Sequence, residues 1–299
     1  MRHATLIEAV DSYILSHPMC AKHKSTFRNR LQKFIVFMGG EVLLSDLTAD
    51  DINRFLISLE RSHRQPATVR GFRTGLISVL KFTKWKADER EDIRRVRVPR
   101  KVVTAWTHEQ IYRLIAVAET LEGFLPNGVR RSTFWLTAIL GGYSTGLRWG
   151  DLSTLPVSQI RADRSCTVVM SKTQRPVTVR FSELAMRCIE EHGQAEVLPC
   201  PCTQKWFCAE FSKLVERAEI RGGSFRWLRR SAGSYADRER HGDGRRLLGH
   251  CDDVTFNNHY RDEAIVGVSV PEPTALVDLR PKQLPAPGPG DWENFSIDV

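Results

Sequence analysis

Apolar residues recur every three or four positions through about the first ninety residues of the chain, the spacing of one helix face. Leu6 to Leu15 is one such stretch. Ser25 to Met38 is the next, with Phe27, Leu31, Phe34, Ile35 and Met38 in step, and Gly39-Gly40 ends it. Thr48, with Asp51 three residues on, predicts the N-cap of a third helix whose apolar side continues through Phe55, Leu56 and Leu59. Pro66-Ala67-Thr68 opens a fourth, with Phe72, Leu76, Val79, Leu80 and Phe82 on its buried side. Residues 1–93 therefore predict a helical module with basic residues on its outer faces.

Residues 94–104 carry Arg94, Arg95, Arg97, Arg100 and Lys101 around Pro99, and predict a basic linker. Such a strap either lies along a phosphate backbone or merely keeps the chain soluble. Thr107-His108-Glu109-Gln110 has the form of a capping box and opens a second domain over residues 105–270. Leu114 to Leu121 continues that helix, and Phe134 to Leu140 is apolar enough for a core helix. The period then changes to two. Cys166 to Met170 and Val177 to Phe181 predict paired strands, with Val177, Val179 and Phe181 alternating against Thr178 and Arg180, and residues 171–176 turning between them. Helical spacing returns at about 183–192, 203–219 and 226–239. From residue 271 the chain is proline-rich and predicts an extended tail. The fold class is mainly α with a small β-sheet.

The formal net charge of +9 favours a polyanionic partner, nucleic acid before an anionic membrane surface. No run approaches the roughly 18 apolar residues of a membrane span, which predicts no membrane partner. Glu8 and Asp11 stand where a secretory signal would be apolar, so the expected compartment is the cytoplasm, in association with the nucleoid. The seven cysteines fit that compartment as thiols. Cys200, Cys202 and Cys208 lie near His192, but their spacing is not a usual zinc pattern, and no metal is expected.

Five short segments carry candidate chemistry. Gly146-Leu147-Arg148 delivers an arginine at the start of a helix, with Asp151 three residues later to fix its rotamer. Lys172 sits in the turn between the strands, where an ammonium can reach into a groove and donate a proton. Arg226 and Arg229 share a helix face beside an inward Leu228, and an anion would relieve their repulsion. His250 follows a turn glycine and can meet a phosphate or move a proton. Tyr260, in His259-Tyr260-Arg261-Asp262, needs cations around its target to act as a nucleophile. Taken singly, each reads as well as an ordinary surface ion pair, a solvated lysine, a basic helix, a structural histidine or a core aromatic. Tyr13, Tyr112, Tyr143 and Tyr235 lack this run of cations before them.

In order, these segments resemble the tyrosine recombinase (phage integrase) family. Residues 145–152, Leu228-Arg229-Arg230-Ser231, Leu247-Leu248-Gly249-His250 and His259-Tyr260 match its boxes. Ser25-Thr26-Phe27, residues 44–48 with Ile52 and Phe55, and residues 68–73 are similar to its core-binding domain. The resemblance implies an N-terminal helical core-binding domain and a mixed α/β catalytic domain, clamped around double-stranded DNA, with a homotetramer acting on two DNA sites. It implies that Arg148 and Arg229 hold the scissile phosphate, that Lys172 protonates the departing 5′ oxygen, and that His250 assists. Tyr260 would form a 3′-phosphotyrosine link, with no ATP and no metal. A catalytically inactive DNA-binding relative is the alternative. Two departures stand out. Arg226 occupies a place where the family often has His or Lys, and arginine binds phosphate but cannot act as a base. Nine residues separate His250 from Tyr260, one more than usual, which a loop would absorb and a helix would turn into a rotation of about 100°.

Overall fold

The structure is a computed structural model describing residues 4–201 and 203–267. The proline-rich tail and Cys202 lie outside the described residues. The chain divides into two compact units between Lys101 and Val102.

The first unit is helical throughout its described length. Its elements are α1 (Leu6–Ser16), α2 (Ala21–Phe37), α3 (Ala49–Arg61), α4 (Pro66–Phe82) and α5 (Ala87–Glu91). The predicted cap of α3 is present in full: Thr48 Oγ1 accepts from the Asp51 N–H, and Asp51 accepts from the Thr48 N–H. α1 carries a matching capping box from Thr5 and Glu8. Leu6, Phe34, Leu47, Ile52, Leu56, Val69 and Val79 form a core closed to solvent. The short α5 had no legible period. It is held by Glu89, whose carboxylate accepts from the Ala49 N–H.

The start of the predicted linker is part of this unit. Ile93 is buried, Arg73 donates to the carbonyls of Ile93 and Arg94, and Arg94 pairs with Glu60 at 2.8 Å. Arg94 is therefore occupied within the module and is not a free cation of a strap.

The second unit runs α6 (His108–Glu119), α7 (Arg131–Thr145), α8 (Trp149–Ser153), β1 (Ser165–Val169), β2 (Pro176–Arg180), α9 (Glu183–His192), α10 (Gln204–Arg217), α11 (Phe225–Glu239), α12 (Asp243–Leu247), α13 (Asp253–His259) and α14 (Glu263–Val266). α7 is apolar on all sides and so becomes the central helix, packed by α6, α9 and α11. Around it Trp135 meets Phe134 edge-to-face and Phe207 at a tilt, both with ring centres 5.0 Å apart, and Phe207, Phe211 and Phe225 extend the aromatic core. The strands pair antiparallel, with Cys166 opposite Val179 and Val168 opposite Val177 facing the core. Both strands begin one residue before their predicted starts. α12, α13 and α14, of five, seven and four residues, are too short to leave a period in the sequence.

Trp135→Ala should remove about 3–5 kcal/mol of stability from the second unit, because the cavity opens at the centre of its aromatic core. Denaturant unfolding of the full chain, followed by circular dichroism, measures the loss.

Candidate active site

Two left-handed glycines shape the site. Gly146 (φ 63°) ends α7 and turns the chain so that Arg148 becomes the N-cap of α8. Gly249 (φ 64°) follows α12 and presents His250; a Cβ there would run into Val177 of β2. Both positions demand a backbone that side-chain-bearing residues rarely adopt.

Arg229 is the buried centre, only 2% exposed. Its Nη1 donates to the Gly146 carbonyl at 2.5 Å and its Nη2 to the Leu248 carbonyl at 2.6 Å. One guanidinium thus joins α11 to the turn before Arg148 and to the turn before His250. The two carbonyls carried no sequence signal, since any residue supplies one; only the glycine turns beside them were legible. Burial, and then the charge of Arg148, hold the Arg229 pKa down at about 10, so it remains protonated at neutral pH.

Arg148 lies 3.8 Å from Asp151, whose carboxylate is buried. The other oxygen of Asp151 accepts from the Ser171 N–H at 2.9 Å, tethering the base of the β1–β2 turn to the arginine platform. Lys172, one residue farther, is exposed and makes no hydrogen bond or ion pair among the described residues. The structure therefore brings together Arg148, Asp151, Arg226, Arg229, His250 and Tyr260, and leaves Lys172 outside the cluster.

His250 Nε2 lies 3.5 Å from Arg229 Nη2. Arginine only donates, so Nε2 accepts and the ring proton is assigned to Nδ1. Burial, then the charges of Arg229 and Arg148, push the His250 pKa down to about 4. The ring is neutral at pH 7 and offers one N–H.

The Tyr260 ring lies 4.5 Å from that of His250, the two being separated by a short loop and α13. The guanidinium carbons of Arg226 and Arg229 stand 5.1 and 5.3 Å from the Tyr260 ring centre, and Arg226 Nη2 donates to its hydroxyl at 3.3 Å. Burial pushes the phenol up. The charges of Arg229, Arg226 and Arg148 outweigh it and hold the pKa at about 8. Tyr235 also meets one guanidinium, Arg238 at 4.9 Å, but no such cluster.

Buried side-chain atoms without a hydrogen-bond partner include Arg148 Nη1, Arg229 Nε, His250 Nδ1 and Asp151 Oδ2. A desolvated donor left unpaired costs on the order of 1–3 kcal/mol. Arg148 Nη1 and Asp151 Oδ2 face each other at 3.8 Å, beyond hydrogen-bond range, and the positive charge of the cluster suits an anion. Among the described residues no group of three or more His, Cys, Asp or Glu could hold a metal ion.

No protein-family model and no characterised sequence matches the chain. Solved structures do. A lambda integrase dimer bound to a COC′ core site superposes with a TM-score of 0.73 at 15% identity, covering 90% of this chain and 100% of that one. A lambda integrase tetramer bound to a Holliday junction gives 0.70 at 16%, covering 91% and 80%. The Tn1549 transposon integrase in complex with a circular intermediate DNA gives 0.67 at 11%, covering 93% and 99%. The chain has the fold of these tyrosine recombinases.

The phenol of Tyr260 should titrate with a midpoint of about 8, read as the ultraviolet difference between the protein and Tyr260→Phe. Arg226→Gln removes a cation that favours the phenolate, so the midpoint should climb toward the ordinary value of about 10. A midpoint already near 10 in the unaltered protein would contradict the cluster.

Proposed function

We propose that this chain is a site-specific DNA recombinase that cuts and rejoins strands through a 3′-phosphotyrosine link at Tyr260. One observation carries the reading: a tyrosine hydroxyl set among three arginines and a neutral histidine, with unpaired donors on Arg148, Arg229 and His250. The reading also draws on the fold likeness and on the net charge of +9.

The chemistry follows from the charges. At pH 7 a phenol with a pKa of about 8 is roughly one-tenth phenolate, against about one-thousandth for a free phenol. The Tyr260 oxygen attacks phosphorus, and Arg148 and Arg229 stabilise the charge on the phosphate oxygens. Arg226 binds the same anion, and His250 donates from Nδ1. The P–O5′ bond breaks, and Lys172 gives its proton to the 5′ oxygen from the turn that Asp151 tethers. A 5′-hydroxyl of a second strand then attacks the phosphotyrosine and returns a proton to Lys172, the new diester forms, and the Tyr260 oxygen leaves as phenolate. No high-energy cofactor enters this balance.

The solved lambda integrase dimer on a core site and tetramer on a Holliday junction motivate the partners: double-stranded DNA, with a homotetramer joining two sites. The first unit serves as the core-binding domain and residues 105–270 as the catalytic domain.

A DNA substrate nicked so that the cleaved strand diffuses away should trap a covalent adduct on a denaturing gel, and Tyr260→Phe should abolish it. An adduct surviving that change places the nucleophile elsewhere, and none on a cognate site favours a DNA-binding relative without chemistry.

Arg148→Ala should slow cleavage by about 10²–10³ while weakening DNA binding far less, in a comparison of single-turnover rate with a gel-shift Kd. Equal losses in both would argue against a transition-state role. Arg148 is the cleaner test, because Arg229 also holds two buried carbonyls.

A further inference from the structure

α11 carries a line of side chains of which the chemistry above uses only the first, Arg226. Arg226, Arg230, Ser234 and Asp237 follow one another by four, four and three residues, so they form one stripe along the helix. Each meets a different atom of the segment around Tyr260. Arg226 donates to the Tyr260 hydroxyl. Arg230 Nε donates to the His259 carbonyl at 3.2 Å. The Ser234 hydroxyl donates to the Tyr260 carbonyl at 3.0 Å and accepts from the Asp262 N–H at 2.9 Å. Asp237 forms an ion pair with Arg261 Nε at 3.1 Å, while its other oxygen accepts from the Gly242 N–H.

The segment needs these contacts. α13 has seven residues and ends at His259; Tyr260 is its C-cap, with a φ of −133° that lies outside the helix. A helix this short does not stand by itself, and its last carbonyls have no partners within it. The α11 stripe supplies partners to two of them, at His259 and Tyr260. Ser234 is fully buried and the Asp237 side chain is 1% exposed, so water has little access to replace either. A second anchor comes from the start of the unit: Asp262 accepts from the Ala105 N–H at 2.7 Å, and Arg230 Nη1 donates to the Thr104 carbonyl at 3.1 Å.

We propose that Arg230, Ser234 and Asp237 are positioning residues that hold the His259–Asp262 backbone in register with Arg226 and Arg229 on the same helix, so that the Tyr260 hydroxyl sits in the arginine cluster. The consequence for strand cleavage rests on the function proposed above; the placement of the phenol does not.

The test is made on the full chain with Ser234→Ala, Arg230→Lys and Asp237→Asn. Ser234→Ala changes no charge, and Arg230→Lys keeps its charge but loses the fork that spans two carbonyls. Movement of the phenol midpoint in Ser234→Ala reports displacement from Arg148, Arg226, Arg229 and His250; in Arg230→Lys the relocated charge, which itself acts on Tyr260, adds to it. We expect it to rise from about 8 by about one unit in both. Asp237→Asn separates placement from simple charge by sign. Loss of a nearby anion alone lowers a phenol pKa, whereas loss of placement raises it. The single-turnover rate of adduct formation should fall about ten- to a hundredfold in Ser234→Ala, with the DNA Kd within about twofold. Midpoints unmoved in Ser234→Ala and Arg230→Lys, with a lowered one in Asp237→Asn, would overturn the proposal. If the unaltered protein forms no adduct, the recombinase reading fails while the titration still decides the positioning.

Discussion

A buried cation organises the second unit. Taking a guanidinium out of water costs several kcal/mol unless its donors find acceptors. Arg229 finds two, at Gly146 and Leu248, and these belong to the two glycine turns that present Arg148 and His250. The residue that fills the core beneath the site is therefore also the residue that assembles it. The two carbonyls take up one donor on each Nη without cancelling charge, and Nε is left without a partner. Arg229 remains cationic, and its field reaches everything around it.

That field explains the other unusual properties of the cluster together. The cations that hold the Tyr260 phenol down add to burial, the larger cause, in holding the His250 imidazole down, since both groups are less positive in the favoured form. Arg148 and Arg229 repel each other, and the buried carboxylate of Asp151 lies 3.8 Å from Arg148. An anionic ligand would relieve all of these strains at once. Fold likeness at 11–16% identity does not by itself assign a reaction. The chemical reading rests on the cluster, and the fold explains how side chains more than a hundred residues apart come to form it.

Much of the architecture was legible along the chain. Thr48 and Thr107 announced their helices because a cap is a local hydrogen bond between residues three apart. The alternation at Val177, Val179 and Phe181 marked a strand with one buried face, as the structure has it. The order of Arg148, Arg226, Arg229, His250 and Tyr260 was readable because their flanking turns and helices are themselves local motifs.

What the sequence by itself determined were these short-range features: helix faces, caps, strand alternation and the identity of the candidate residues. Only the tertiary structure decided which of them meet. It left Lys172 exposed while fastening its turn to Asp151, brought the Tyr260 ring to 4.5 Å from that of His250, and tied Arg94 into the helical module. It also aligned Arg230, Ser234 and Asp237 with a segment more than twenty residues away. The reason is physical. A cap or a period is set by neighbours a few bonds apart, whereas the acceptors of Arg229 lie 83 and 19 residues from it and are backbone carbonyls that every residue possesses. Nothing in their own side chains distinguishes them until the fold brings a buried cation to their side.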